Sequence, residues 1–468
     1  MLPHLPPAPL HRKGASLSAR LLVCLAAAVL LASAATLPAQ EAERARPEAE
    51  RAPAAVDLGK LFDAVVERTA KSFWDKDRLV QVGWQKRAAE VRPSVVEAPS
   101  PEEAARRINA LLAELKTSHT ALLTPDDVEF YILADVFGGL VRETRHEIVE
   151  LFWGGVTYAG IGHFSVKIDG RDFVDAVLEG SPAERAGLKV GDEILAVDGA
   201  PHHLIRSFRG KIGHVATLTV RRAKDGPSEK LEVPVVSIAP LHALSQATRA
   251  SARVIQHEGK RIGYVHVWAS IDGSALGEAL AEVGPAPWFG PSPNAPSPPA
   301  PLDGLIIDMR GKIGGNIVTP KHYLELIAPR GPRWRLRGRD VRESVAGSVR
   351  GRTAVLIDHH TRSAAELFVH AYKGEKQGPL MGSKTAGAVS SGGLFAMPGG
   401  NLLYLAVAGL EMIDGEVLEG RGVAPDIEVA RPIPYAQGAD PVLEAAVEYL
   451  VRLPAPRAPE PLGGRGQW

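Results

Sequence analysis

The sequence predicts a multi-domain α+β chain, with a helical N-terminal domain, a small β domain and an α/β domain behind it. Three observations predict it. At 468 residues the chain is longer than one hydrophobic core sustains. The period of its apolar residues changes from helical spacing over 58–116, to short β runs separated by glycine from about 158, to alternating strands and helices after 261. Hydrophobic residues make up 45% and charged residues 23%, a globular composition. The 54 basic residues balance 54 acidic ones, so no field gathers nucleic acid or acidic lipid, and neither partner is expected.

Arg12, Lys13 and Arg20 precede an apolar run over 21–32, and Ala32, Ser33, Ala34 and Ala35 follow it. That order predicts a secretory signal over 1–39, cleaved between Ala34 and Gln40. The run is shorter than the roughly 20 residues that cross a bilayer, so no stable membrane span is expected after its removal. The expected location is outside the cytoplasm, periplasmic or secreted. Cys24, the only cysteine, lies inside the run behind Val23, where a lipidation box wants a small residue. Without it the mature chain has no disulfide, cysteine nucleophile or thiolate metal site. No His, Asp or Glu grouping shows metal-ligand spacing, so neither metal nor cofactor is expected.

Residues 40–55, charged and rich in Ala and Pro, read as a linker. The helical domain spans 56–150, its apolar stripe carried by Leu61, Val65, Val66, Ala104, Ile108, Leu111, Leu112 and Leu115. Strands of the β domain, 155–240, are expected at Ile161, Val166, 173–178, 194–197 and 218–220. Between two of them, Ser181, Pro182, Glu184 and Gly187 supply an N-cap, a first helical residue, a capping glutamate and an exit, so a helix of one to two turns is expected. In the α/β domain, 250–435, strands are expected at 263–268, 305–309, 353–358, 380–382 and 402–408, with a helix over 363–373. The Pro-, Ser- and Ala-rich stretch 285–301 predicts a surface loop, and 436–468 a C-terminal helix and flexible tail.

The run V-L-E-G-S-P-A-E-R-A-G-L-K-V-G-D-E-I-L-A-V-D-G over 177–199 resembles bacterial PDZ domains. The resemblance implies a peptide-binding segment at Tyr158, Ala159, Gly160, Ile161 and Gly162, whose N–H groups would meet a terminal carboxylate while the peptide adds a strand. These glycines equally suit a tight turn. Three further segments resemble the tail-specific (C-terminal processing) serine proteases: L-I-I-D-M-R-G-K-I-G-G-N over 305–316, Ser363-Ala364-Ala365-Glu366, and L-E-G-R-G-V-A-P-D over 418–426. The resemblance covers roughly 58–429 and implies a crotonase-like (ClpP/crotonase) catalytic domain and polypeptide substrates.

Ser363 follows a strand and opens a helix, where free N–H groups and the helix dipole favour an anion; Ser-x-x-Glu is equally a capping box. Carried over from the family, Ser363 is the nucleophile. Most members take their base from a lysine in a Phe-Gly-Lys-Gly-like motif. Here that stretch reads Thr385-Ala386-Gly387-Ala388, with alanine in the lysine's place, and Lys384 is only a minor candidate. Thr117-Ser118-His119-Thr120 resembles instead the tricorn core protease branch. The roles implied are His119 as base, Ser118 as its orienter and Glu419 as the group that holds Ser118; the residue-level alternative for His119 is a partly buried helix-end histidine. His359 and His360, expected to point apart at a strand end, are alternative bases, with Asp308 or Asp358 as orienters. Gly314 and Gly315, which lack a Cβ, and the N–H of Ala364 are the expected oxyanion donors. A histidine base predicts a rate that rises with pH around an unperturbed pKa of about 6.5. Two other readings stay open: an inactive member that binds a peptide or lipid, and an esterase.

Overall fold

The computed structural model describes residues 56–140, 151–152, 155–271, 273–284, 302–311, 313–315, 319–320, 322–323, 334–336 and 352–454. The predicted signal, linker, 285–301 loop and tail beyond 454 lie outside the described residues. None of the described helices is long and apolar enough to cross a membrane.

Four helices open the chain: α1 (Leu58–Ser72), α2 (Lys76–Val82), α3 (Trp84–Val96) and α4 (Pro101–Ala113). Their starts are written locally. Asp57 caps α1 by accepting from Lys60 N at 3.0 Å, and Ser100 caps α4 by accepting from Glu103 N at 3.2 Å, with Pro101 at the first helical position. Their apolar stripe does not close a core by itself. Leu61, Phe62, Val65, Ile108 and Leu112 share one core with Leu403, Leu405 and Ala406 from far down the chain. The short strand β1 (Ala121–Leu123) completes the join, pairing antiparallel with β18 (Asn401–Ala408) so that Ala121 faces Tyr404. Helix α5 (Val128–Leu140) follows.

The β domain runs from β2 (Tyr158–Gly160) to β8 (Val236–Ile238), which pair with each other. Between them β3 (His163–Ile168), β4 (Arg171–Val177), β5 (Glu193–Val197), β6 (Val215–Arg221) and β7 (Ser228–Pro234) form an antiparallel sheet in sequence order, with β3 at one edge. The expected short helix is α6 (Pro182–Arg185), capped by Ser181 Oγ on Glu184 N at 3.2 Å and left through Gly187, whose φ is 81°.

After α7 (Pro240–Ala250) comes a six-stranded sheet ordered β20-β16-β15-β12-β10-β9: β9 (Arg253–His257), β10 (Lys260–His266), β12 (Gly304–Asp308), β15 (Thr353–Ile357), β16 (Leu380–Gly382) and β20 (Ile427–Glu428). All pairs are parallel except β9 with β10. Helices cover both faces, which is why these strands read as unbroken apolar runs. Leu305, Ile307, Val355 and Ile357 face α8 (Gly273–Val283) and α9 (Ala364–Glu375). The intervening Ile306, Ala354 and Leu356 meet Val442, Ala446 and Leu450 of α10 (Pro441–Arg452). Two short parallel strands, β11 (Ala269–Ser270) and β13 (Ile313–Gly315), follow the carboxyl ends of β10 and β12, β14 (Trp334–Leu336) pairs antiparallel with β19 (Leu410–Met412), and β17 (Ser391–Met397) joins β18 on the side away from β1.

Candidate active site

The turn between β15 and α9 carries Ser363 at φ 55° and ψ −125°. A residue with a Cβ pays for that conformation, and here the surroundings impose it. The Ser363 N–H donates to the Ala388 carbonyl at 2.8 Å and to Glu366 Oε2 at 3.1 Å. Glu366 is fully buried, and its other bonds all go to one loop: Thr385 Oγ1 at 2.6 Å, Gly387 N at 2.7 Å and Ala388 N at 2.7 Å. Burial raises its pKa and these donors oppose the rise. Sequence reasoning assigned Glu366 to helix capping; it also anchors the loop that lacks the lysine.

His119 stands just ahead of β1, so the β1–β18 pairing places it beside β18. Its ring lies 5.1 Å from that of Tyr404, a neighbour with no signal in the sequence. Ser118 Oγ is 2.7 Å from His119 Nδ1. Glu419 accepts from Ser118 N at 2.7 Å, Ser118 Oγ at 3.0 Å, and Val389 N and Ser390 N at 2.9 Å each. A carboxylate only accepts, so the Ser118 hydroxyl spends its hydrogen on Glu419 and must accept from Nδ1–H. Nε2 is thereby left with its lone pair. Burial, then the Arg362 cation, lower the His119 pKa to about 4 against the opposing pull of Glu419, which keeps the ring neutral at ordinary pH.

Ser118, His119, Glu129, Arg362, Ser363 and Ala364 line one cavity of about 570 Å³, together with Gly314 and Gly315. A Cβ on Gly314 would lie 2.4 Å from Ser363 Cβ and 2.8 Å from Ala364 N, so only glycine brings this backbone against the serine turn. At Gly315, φ is 146° and a Cβ would meet the Ser270 carbonyl at 1.9 Å. Ala364 opens α9, where an N–H has no partner in the helix's own ladder.

Residues 293–429 match peptidase family S41, and residues 173–222 match the PDZ domain family. The chain carries a peptidase family S41 segment and, ahead of it, a PDZ domain. It is 27% identical over 438 residues to a tricorn protease homolog of Streptomyces coelicolor, covering 87% of this chain and 33% of the homolog. The chain thus spans about one third of that relative. It is 25% identical over 368 residues to a carboxyl-terminal-processing protease of Synechocystis sp., covering 75% of this chain and 76% of that protein. The solved photosystem II D1 C-terminal processing protease aligns over 83% of this chain and 99% of its own, at 18% identity and a TM-score of 0.45.

Other candidates in this chain fall elsewhere. Lys384 is exposed and does not line the Ser363 cavity. His359 and His360 do not point apart as expected, because their ring centroids are 3.9 Å apart. His360 Nε2 is 2.9 Å from Asp175 of the PDZ domain, and with Asp308 and Asp358 it lines a second cavity, away from Ser363. Asp308 is spent on Arg310, 2.6 Å away. The expectation that no metal-ligand grouping exists also needs correction: Asp358, His359 and His360 bring their ligand atoms within 4.8 Å of one another, and these residues could hold a cation. The strand turn brings the three together although sequence spacing does not suggest it. Tyr158, Ala159, Gly160, Ile161 and Gly162 are all buried, and none lines the Ser363 cavity. At Gly162 the tight turn accounts for the residue: φ is 85°, and a Cβ would lie 2.4 Å from Ser181 Cβ. Lys312 lies outside the described residues.

Proposed function

We propose that this protein is an exported serine endopeptidase that cleaves polypeptides, in which Ser363 is the nucleophile and His119 the base. The observation that carries the reading is the hydrogen-bonded chain from Glu419 through Ser118 to His119 Nδ1, which leaves the Nε2 lone pair as the acceptor of a ring that lines the same cavity as Ser363. In this mechanism Ser363 Oγ attacks the scissile carbonyl as its proton passes to Nε2. The carbonyl oxygen takes up the electron pair against the N–H groups of Gly314, Gly315 and Ala364, a stabilisation worth about 2.7–4 kcal/mol per donor. Collapse expels the amine, which takes the proton from His119, and water then releases the acyl group by the same route.

The PDZ domain supplies substrate selection in this reading, with β3, the edge strand of its sheet, as the place where a peptide C-terminus would add. Export rests on the Arg/Lys-flanked apolar run ahead of residue 40. N-terminal sequencing of the cell-made protein should begin between Ala35 and Glu41, and an intact Met1 in the cytoplasm would sink that part. A fluorophosphonate probe tests the chemistry. It should label Ser363 alone and fail on Ser363→Ala; a folded, unlabelled wild type would replace the peptidase reading with an inactive, peptide-binding member of the family.

A further inference from the structure

Ser363 is preceded by an arginine whose main chain is held and whose side chain is not. The Arg362 carbonyl accepts from Ala365 N at 3.1 Å, and a Cβ on Gly314 would come within 2.7 Å of that carbonyl, so the backbone is pinned between α9 and β13. The side chain is exposed at the cavity, and among the described residues it has no ion-pair or hydrogen-bond partner. The cavity's carboxylates are committed elsewhere. Glu419 already accepts four hydrogen bonds. Glu129 lies near Tyr158, whose phenol it helps burial to hold un-ionised, and it is engaged in an interaction of its own. One stretch of the wall is apolar, with Ile132, Leu133, Val136, Phe137 and Leu367, and Thr117, Thr120, Ser390, Ser391 and Tyr404 add hydroxyl groups elsewhere on it.

We infer that Arg362 is a specificity determinant that receives a substrate carboxylate inside the cavity, so that the site favours peptides placing a carboxylate beside an apolar residue at the scissile bond. The inference rests on the peptidase reading for its substrate class. An unpaired guanidinium offers five donors in a planar fork that matches a carboxylate, and a neighbouring apolar wall strengthens the pair by excluding water. The carboxylate can come from a chain terminus or from a Glu or Asp side chain.

Occupancy also reaches the base. Arg362 is one of the groups holding the His119 pKa down, so a bound carboxylate cancels part of its field and makes the imidazole more basic in the complex than in the free protein. The acid limb of kcat should therefore lie at higher pH than that of kcat/KM for carboxylate peptides, and the two should nearly coincide for neutral ones.

Fluorescein-labelled leucine-rich hexapeptides test this in three forms: free acid, C-terminal amide, and amide with one leucine replaced by glutamate. Their binding to Ser363→Ala protein is read by anisotropy, which needs no turnover. At least one carboxylate form should bind about tenfold tighter than the neutral amide. Arg362→Gln in the same background should abolish that ratio, and Arg362→Lys should restore part of it. Preference for the free acid alone assigns the terminal carboxylate; preference for the glutamate form assigns a side chain. Equal binding of all three peptides, or a preference that survives Arg362→Gln and so belongs elsewhere, such as the PDZ domain, overturns the inference. Wild-type hydrolysis of all three at equal rates would overturn it while leaving the peptidase reading intact; a carboxylate preference without hydrolysis would do the reverse.

Discussion

Ser118 and Glu419, 301 positions apart, are joined by two hydrogen bonds, from the Ser118 N–H at 2.7 Å and from its hydroxyl at 3.0 Å. The second bond sets the direction of the hydroxyl, and through it the tautomer of His119. Everything proposed about the base depends on that contact.

His119→Ala should lower turnover by on the order of 10²–10⁴-fold, the usual worth of a positioned base. Ser118→Ala and Glu419→Ala should fall between this variant and wild type, since they orient the ring without taking the proton. Lys384→Ala should change little, because its side chain is exposed and away from the cavity. Steady-state peptide hydrolysis gives the order; a dead Lys384→Ala beside an active His119→Ala would reverse the assignment.

The pH profile should differ from that of an unperturbed imidazole. The base acts deprotonated, so activity falls as pH drops through the His119 pKa, which burial and then Arg362 lower to about 4. The limb of kcat/KM should lie near that value, below the 6.5 expected from the sequence. A limb at or above 6.5 would mean that the ring is more hydrated than its surroundings here allow.

Gly314→Ala should cost on the order of 10²–10³-fold in the rate of fluorophosphonate labelling, the effect of losing one oxyanion donor. Its Cβ would fall 2.4 Å from Ser363 Cβ, so the strand must withdraw from the serine turn. Circular-dichroism melts run in parallel confirm that the variant is folded. Labelling at the wild-type rate would remove this backbone from the site.

His266 offers a stability test where the PDZ domain meets the catalytic sheet. Burial lowers its pKa, but Asp308 and Glu179, whose Oε1 is 3.1 Å from Nδ1, outweigh this and raise it. Arg310 opposes them. A raised folded-state pKa means stability that is complete below about 6.5 and is lost as pH rises through the folded value. The melting temperature should therefore decline over that window in wild type and decline less in Glu179→Gln. Parallel profiles for the two proteins would remove the ion pair from the balance.

Glu366→Ala should destabilise the fold by about 3–5 kcal/mol, because it strands buried donors at Thr385, Gly387 and Ala388. Urea unfolding followed by tryptophan fluorescence measures it. Loss of labelling with unchanged stability would make Glu366 a site residue rather than a strut.

Features written in adjacent residues were legible from the sequence alone. Ser181-Pro182 with Glu184 and Gly187 specifies the start and end of α6, because caps satisfy backbone groups within one turn. The apolar runs at 305–309 and 353–358 announce strands covered on both faces, because successive side chains alternate and both sides must be oily. Ser363 and the pair Ser118-His119 could be nominated from the motifs they sit in. Only the tertiary structure decided what those residues meet. The β1–β18 pairing brings a segment at 118–123 against strands near 400, and no local period encodes that register. It makes the N-terminal helices share a core with β18, and it carries His119 to the cavity that Ser363 lines. The same long-range contacts separate Lys384 from the cavity, draw His360 towards Asp175, and leave Arg362 without a partner among the described residues, because distance and burial in three dimensions decide which charges find each other.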